Sequence, residues 1–127
     1  MKIEHVAIYV NELELMKDFY CTYFNGVHNE KYHNPKTNLE TYFITFESGA
    51  RLELMTRPDI QAAHDGLWHF GLTHLAFSVG SKSQVDALTQ QLIMNGCQLQ
   101  SAPRTTGDGY YESCVLDPEG NQIEITE

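Results

Sequence analysis

Hydrophobic positions along this chain fall into two periodicities, and each occurs twice. Residues 3–10 read IEHVAIYV and residues 72–79 read LTHLAFSV; such runs, rich in aliphatic and aromatic side chains, predict strands. After the first run, Leu13, Met16, Phe19, Tyr20, Tyr23 and Phe24 recur at helical spacing. Asn11 with Glu14 reads as a capping-box start, and Gly26 stands where a helix stops. Three more strands are predicted near 27–33, 39–47 and 51–56, with Ser48-Gly49 as the last turn. The second half parses alike. A helix begins near Ser81 or Ser83, carries Val85, Leu88 and Leu92 on one face and ends at Gly96. Strands follow near 97–101, 109–116 and 121–126, and Asp117-Pro118-Glu119-Gly120 is a turn. Residues 57–71, with Pro58, Gly66 and Gly71, join the halves.

The halves also match in detail. His74 follows His5 by 69 residues, each three places into its strand. Residues 49–54 (GARLEL) correspond to 120–125 (GNQIEI), and Glu124 follows Glu53 by 71 residues. A two-residue insertion between the frames accounts for the difference, so one unit of strand, helix and three strands occurs twice.

Side chains alternate across a strand. Val6, Ile8 and Val10 therefore oppose His5, Ala7 and Tyr9, and Leu52 and Leu54 oppose Arg51, Glu53 and Met55. Likewise Leu75, Phe77 and Val79 oppose His74, and Ile123 and Ile125 oppose Glu124. If the aliphatic sets pack under the helices, all four polar residues project from the face that no helix covers. Singly, each reads as a solvated strand position. Together, in equivalent frames, two imidazoles and two carboxylates form a ligand set for a borderline divalent ion, whose charge the carboxylates cancel.

Composition narrows the class. The 127 residues are 42% hydrophobic and 20% charged, as in a globular domain, and carry a formal charge of −9. That field disfavours nucleic acid and anionic lipid as partners. No apolar run approaches the ~20 residues of a membrane span, and the N-terminal segment does not read as a secretory signal, so a cytoplasmic location is expected. Cys21, Cys97 and Cys114 are odd in number and lack C-x-x-C spacing, which gives neither a disulfide framework nor a zinc knuckle.

With these residues in place, the chain resembles the vicinal oxygen chelate superfamily, which includes glyoxalase I, bleomycin resistance proteins and extradiol dioxygenases. The likeness rests on the duplicated βαβββ reading, on His5 and His74 in matching first strands, and on Glu53 and Glu124 in matching last strands. It rests also on the D-P-E-G-N-x-I-E ending at Glu124, and on Asp18-Phe19-Tyr20 followed by Phe24-Asn25-Gly26. The resemblance implies an α+β fold in which two tandem βαβββ modules (1–56 and 72–127) form a cupped mixed sheet within one glyoxalase-like domain. Two His with two Glu is similar to bacterial glyoxalase I, whose four ligands hold one ion, here Ni, Co, Mn or Zn. Extradiol dioxygenases and fosfomycin transferases carry two His and one Glu, and the metal-free binders lack the set.

The implied chemistry is a glyoxalase-type lyase or isomerase reaction on a small substrate chelated through adjacent oxygens. Glu124 is then the base that moves a proton between neighbouring carbons, and Glu53 the second carboxylate. The alternatives are a metal-free small-molecule binding or resistance protein and an Fe-dependent extradiol dioxygenase. Glyoxalase I has an Arg four residues after its first ligand His and an Asn four residues after its first Glu. Here those positions hold Tyr9 and Arg57, so Arg recognition of the two glutathione carboxylates is depleted, and a different thiol or a substrate without a thiol stands beside glutathione. Tyr9, Arg57 and Tyr111 are the candidate substrate contacts, with Trp68, His69 and Phe70 as further aromatic candidates. The family also implies a homodimer, the ligands of one ion coming either from one chain or from two.

Overall fold

The computed structural model describes residues 1–61, 71–107 and 109–127. Trp68, His69, Phe70 and most of the joining segment thus lie outside the described residues. The chain divides into two compact units, Met1–His64 and Asp65–Glu127.

In the first unit, β1 (His5–Tyr9) leads into α1 (Leu13–Tyr23), followed by β2 (Val27–His28), β3 (Tyr32–Asn34), β4 (Leu39–Thr45) and β5 (Arg51–Thr56). The sheet order is β1-β5-β4-β2, with β3 also on β4. Only the β1–β5 pair is parallel, and α1 lies in the long connection that such a pair requires. Leu13, Met16, Phe19 and Tyr20 form the apolar stripe of α1 and are buried against Tyr42, Ile44, Leu52 and Leu54. Each such side chain contributes roughly 1.5–3 kcal/mol on leaving water. That stripe decides which sheet face is covered.

Three local expectations need correction. The start of α1 has no capping box: the cap position is Glu12, without a side-chain cap bond, and Asn11 instead donates to Glu12 at 3.1 Å. Glu14 is drawn away by Lys17, Lys31 and the Tyr42 hydroxyl. At the other end the left-handed residue is Asn25, with φ of 54°. Gly26 is required for close approach, because a Cβ there would stand 2.4 Å from Ile44 Cγ2. The strand expected over 27–33 is broken into β2 and β3. Asn29 inserts its side-chain oxygen as acceptor for the Phe43 N–H at 2.8 Å, in place of a backbone carbonyl.

The second unit has β6 (His74–Ser78), α2 (Lys82–Met94), β7 (Leu99–Thr105), β8 (Tyr111–Leu116) and β9 (Gln122–Thr126), in sheet order β6-β9-β8-β7. Again the first and last strands pair in parallel and the others antiparallel. Each unit is thus a mixed sheet with one helix, and strand β1 corresponds to β6, β5 to β9 and β4 to β8. Ser81 caps α2 by accepting the Gln84 N–H, and Gly96 at φ of 95° ends it. Under α2 lie Val115, Ile123 and Ile125 with Val85 and Leu92, all fully buried. The polar pair Thr89 and Ser113 is buried there too, hydroxyl to hydroxyl at 2.6 Å; apolar periodicity alone does not announce it.

The turn before β9 sets the phase of that strand. Asp117, buried, accepts the N–H groups of Glu119 and Asn121 at 3.0 and 2.9 Å and the Asn121 side-chain amide at 2.8 Å. With φ of 87° at Gly120, the chain reverses tightly and enters β9 with Ile123 and Ile125 inward and Glu124 outward.

Candidate functional site

The parallel pairings place the four expected ligands in two equivalent settings. In the first unit His5 faces Arg51 and Ala7 faces Glu53, so His5 and Glu53 are diagonal neighbours on one face. In the second, His74 faces Gln122 and Ala76 faces Glu124, which repeats the diagonal. His5 Nε2 stands 3.7 Å from Glu53 Oε2, and His74 Nε2 stands 3.6 Å from Glu124 Oε2. Side-chain exposures agree as well, 41% and 15% in the first pair against 39% and 22% in the second.

These separations exceed a good N···O hydrogen bond. Two donors each about 2.1 Å from one ion stand roughly 3.0–3.4 Å apart at bond angles of about 90–109°. Each pair is therefore within a small side-chain adjustment of serving as two ligands of one cation, and imidazole with carboxylate suits a borderline ion. Among the described residues there is no group of three or more His, Cys, Asp or Glu placed to hold a metal. The structure assembles the expected ligands two by two, one pair per unit.

The surroundings of the two pairs differ. In the first unit the Glu4 carboxylate lies 2.5 Å from His5 Nδ1 and takes the Arg51 guanidinium on its other oxygen. The adjacent His5 ring and Arg51 hold the Glu4 carboxyl below its usual range. Arg51 lies over the Phe43 ring at 4.2 Å, and Phe43 meets His5 edge to face at 5.4 Å. In the second unit the positions of Glu4 and Arg51 are taken by Thr73 and Gln122. The Gln122 amide donates to the Thr73 carbonyl at 3.1 Å. Opposite Glu124 stands Cys114, where Phe43 stands opposite Glu53. Burial pushes the Cys114 thiol up, with the Glu124 and Glu112 carboxylates acting the same way. Burial also raises Cys21 and Cys97, which leaves none of the three as an activated nucleophile.

Of the expected substrate contacts, Tyr9 and Arg57 come together. With Asp59, Ile60 and Gln61 they line a shallow, solvent-open cavity of about 320 Å³ at the end of β1 and β5. Asp59 grips Arg57 through both Nε and Nη2 and so shares its charge. Tyr111 is placed differently from the expectation. It shares the face of the buried Ser113 and Val115, donates its hydroxyl to Asp86 on α2 at 2.8 Å and lies under Lys82. Strand alternation therefore turns it to the helix side, away from Glu124.

Sequence reading did not single out Glu4, Arg51, Phe43 or Asp59. Glu4 borders His5, so adjacency was a signal. Arg51 is tied to it only through the β1–β5 register, which no local pattern displays.

A family sequence model spanning residues 2–125 matches this chain, under the description Glyoxalase/Bleomycin resistance protein/Dioxygenase superfamily. The chain belongs to that superfamily. Among curated relatives of this superfamily domain is the uncharacterized protein YqjT of Bacillus subtilis, 24% identical, with 97% of this chain and 96% of YqjT covered. Among solved structures, a glyoxalase family protein from Enterococcus faecalis superposes with a TM-score of 0.80 at 25% identity, covering 99% of this chain and 97% of its own. Glyoxalase I from Zea mays superposes with a TM-score of 0.81 at 19% identity; 98% of this chain is covered, against 44% of the maize chain. The glyoxalase-like α+β fold with two modules follows from these likenesses. Among the described residues no helix is long and apolar enough to cross a membrane.

Proposed function

We propose that this superfamily member is a metal-dependent lyase or isomerase of glyoxalase I type, acting on a small substrate that offers two adjacent oxygens. The observation that supports this reading is the duplicated His–Glu diagonal, with matching separation and exposure in both units. His5, Glu53, His74 and Glu124 are the proposed ligands of one divalent ion (Ni, Co, Mn or Zn). A first-unit pair and a second-unit pair complete the set, from one chain or from two chains of a homodimer. When bound, the ion supplies Lewis-acid stabilisation of negative charge on the substrate oxygens.

The protein's own part is proton transfer and positioning. Glu124 acts as the base, taking a proton from one substrate carbon through a carboxylate oxygen and returning it to the neighbouring carbon. Glu53 is the second carboxylate, whose charge opposes that of the cation. Tyr9 and Arg57 bind the remainder of the substrate in the cavity between them. Because Asp59 shares the Arg57 charge, that cavity suits a substrate with at most one anionic group, which disfavours glutathione.

The test is a metal-loaded screen of purified protein against methylglyoxal combined with several thiols, alongside elemental analysis and oligomeric state. Turnover that requires Ni, Co, Mn or Zn supports the proposal. A protein that takes up none of these ions yet binds small molecules is a metal-free binder. Oxygen consumption with Fe²⁺ and a catechol identifies a dioxygenase.

A further inference from the structure

The Glu4–Arg51 pair distinguishes the first unit from the second, and its contacts specify more than a surface salt bridge. A neutral imidazole carries one N–H and one lone pair, and a carboxylate can only accept. With Glu4 Oε2 at 2.5 Å, Nδ1 must be the protonated nitrogen, since two lone pairs at that distance repel. While the ring is neutral, Nε2, the nitrogen nearest Glu53, is then the one with a lone pair. Arg51 holds the other Glu4 oxygen and is itself held over Phe43, whose edge contact with His5 closes the ring of contacts. At the corresponding place in the second unit Thr73 and Gln122 bond to each other and present no carboxylate to His74.

We infer that Glu4 is a positioning residue that fixes His5 in the Nδ1–H tautomer and turns its Nε2 lone pair toward the Glu53 side, so that the two histidines are unequal ligands. Its purpose rests on the metal-ligand reading above, while the tautomer preference exists without metal. A carboxylate behind a ligand histidine strengthens its donor nitrogen and typically changes metal affinity 10–100-fold. Glu4 is 54% exposed, so an effect of about tenfold, the lower end, is expected.

The experiment uses 15N-labelled, metal-free protein at a pH where the rings are neutral, with tautomers read from two-bond 1H–15N correlations. His5 is expected mainly as the Nδ1–H form. Glu4→Ala is expected to move His5 toward the mixture of free histidine and to leave His74 unchanged. Glu4→Gln, which keeps a carbonyl acceptor, is expected to retain the Nδ1–H form. Unchanged backbone amide spectra confirm that the variants are folded. A Zn²⁺ titration of the same samples is expected to weaken about tenfold in Glu4→Ala. An unaltered His5 tautomer in Glu4→Ala, or equal Zn²⁺ affinity in both proteins, overturns the role of Glu4. If the parent takes up no Zn²⁺ while the tautomer shift is seen, the metal-ligand reading fails and the tautomer control stands.

Discussion

His74 Nε2 and Glu124 Oε2 stand 3.6 Å apart across a parallel strand pair, on the sheet face that α2 leaves uncovered. The first unit reproduces this with His5 and Glu53, although the polar neighbours around the two pairs are different residues. A diagonal maintained through different surroundings is the expected mark of groups that act together. If Glu124 is the base, Glu124→Gln lowers kcat by about 10²–10⁴-fold, while part of the metal and substrate binding persists. Steady-state kinetics with metal analysis of the same sample decide it; undiminished kcat removes Glu124 from that role.

Bound metal should also register as stability. An ion that binds only the folded protein adds about 2.7 kcal/mol at 100 times its Kd, which raises Tm by several degrees for a chain of this size. Chelator treatment reverses the shift. Scanning calorimetry with Ni²⁺, Co²⁺, Mn²⁺ and Zn²⁺ is the measurement. Replacing His5 and His74 together with Asn should abolish the response, and retention of the full shift would falsify the ligand assignment.

The buried Thr89–Ser113 pair predicts an asymmetry between two small changes. Thr89→Val leaves the Ser113 hydroxyl buried without its partner and should cost about 1–3 kcal/mol. Ser113→Ala should cost less, because Thr89 keeps its bond to the Val85 carbonyl at 2.6 Å. With both changes, Ser113→Ala should recover much of the Thr89→Val loss. Urea unfolding of the three variants checks the order.

Gly26→Ala should destabilise by about 1–3 kcal/mol, the usual cost of overpacking. The new Cβ meets the buried Ile44 at 2.4 Å and the Tyr20 carbonyl oxygen at 3.1 Å, so the clash cannot be relieved by a flexible surface side chain. Ile44→Ala removes the clashing Cγ2 and should therefore cost less in the Gly26→Ala background than in the parent. A stability equal to the parent's in Gly26→Ala would show that α1 shifts freely on β4.

Glu14 gives a pH-dependent prediction. Lys31 foremost, then Lys17, hold its carboxyl down to about 2 from an ordinary value of 4.5, with the Tyr42 hydroxyl adding to this. A depressed carboxyl stabilises the fold fully above its unfolded pKa, and that contribution disappears as pH falls through about 4.5 to 2. The side chain is 52% exposed, so solvent screening limits the effect to about 0.5–1 kcal/mol at neutral pH. Glu14→Gln should thus be less stable than the parent at pH 7 and nearly equal to it near pH 2. A gap that widens on acidification contradicts this sign.

Much of this architecture is local. Apolar spacing marked the stripes of both helices, and Ser81 and Gly96 marked the ends of α2, because those signals depend on neighbours within a turn. The Asp117-Pro118-Glu119-Gly120 turn was likewise announced, and strand alternation gave the phase of β9. Where a partner far along the chain intervened, local signals misled. Glu14 was drawn from its cap by Lys31 and Tyr42, Asn29 split a strand by bonding to Phe43, and the Tyr111 hydroxyl was taken by Asp86 of α2.

The sequence by itself determined the duplication, the two strand–helix units and the identity of the four residues that recur in equivalent frames, since repeat and period are properties of order along a chain. Only the tertiary structure decided which His stands beside which Glu and at what separation. It alone paired Glu4 with Arg51 behind His5, and Tyr9 with Arg57 around a cavity. The reason is that parallel register joins segments some 46 residues apart, as in His5 with Arg51, and is set when the buried face of β5 packs under the helix and β1 pairs alongside it, not by any motif within either strand.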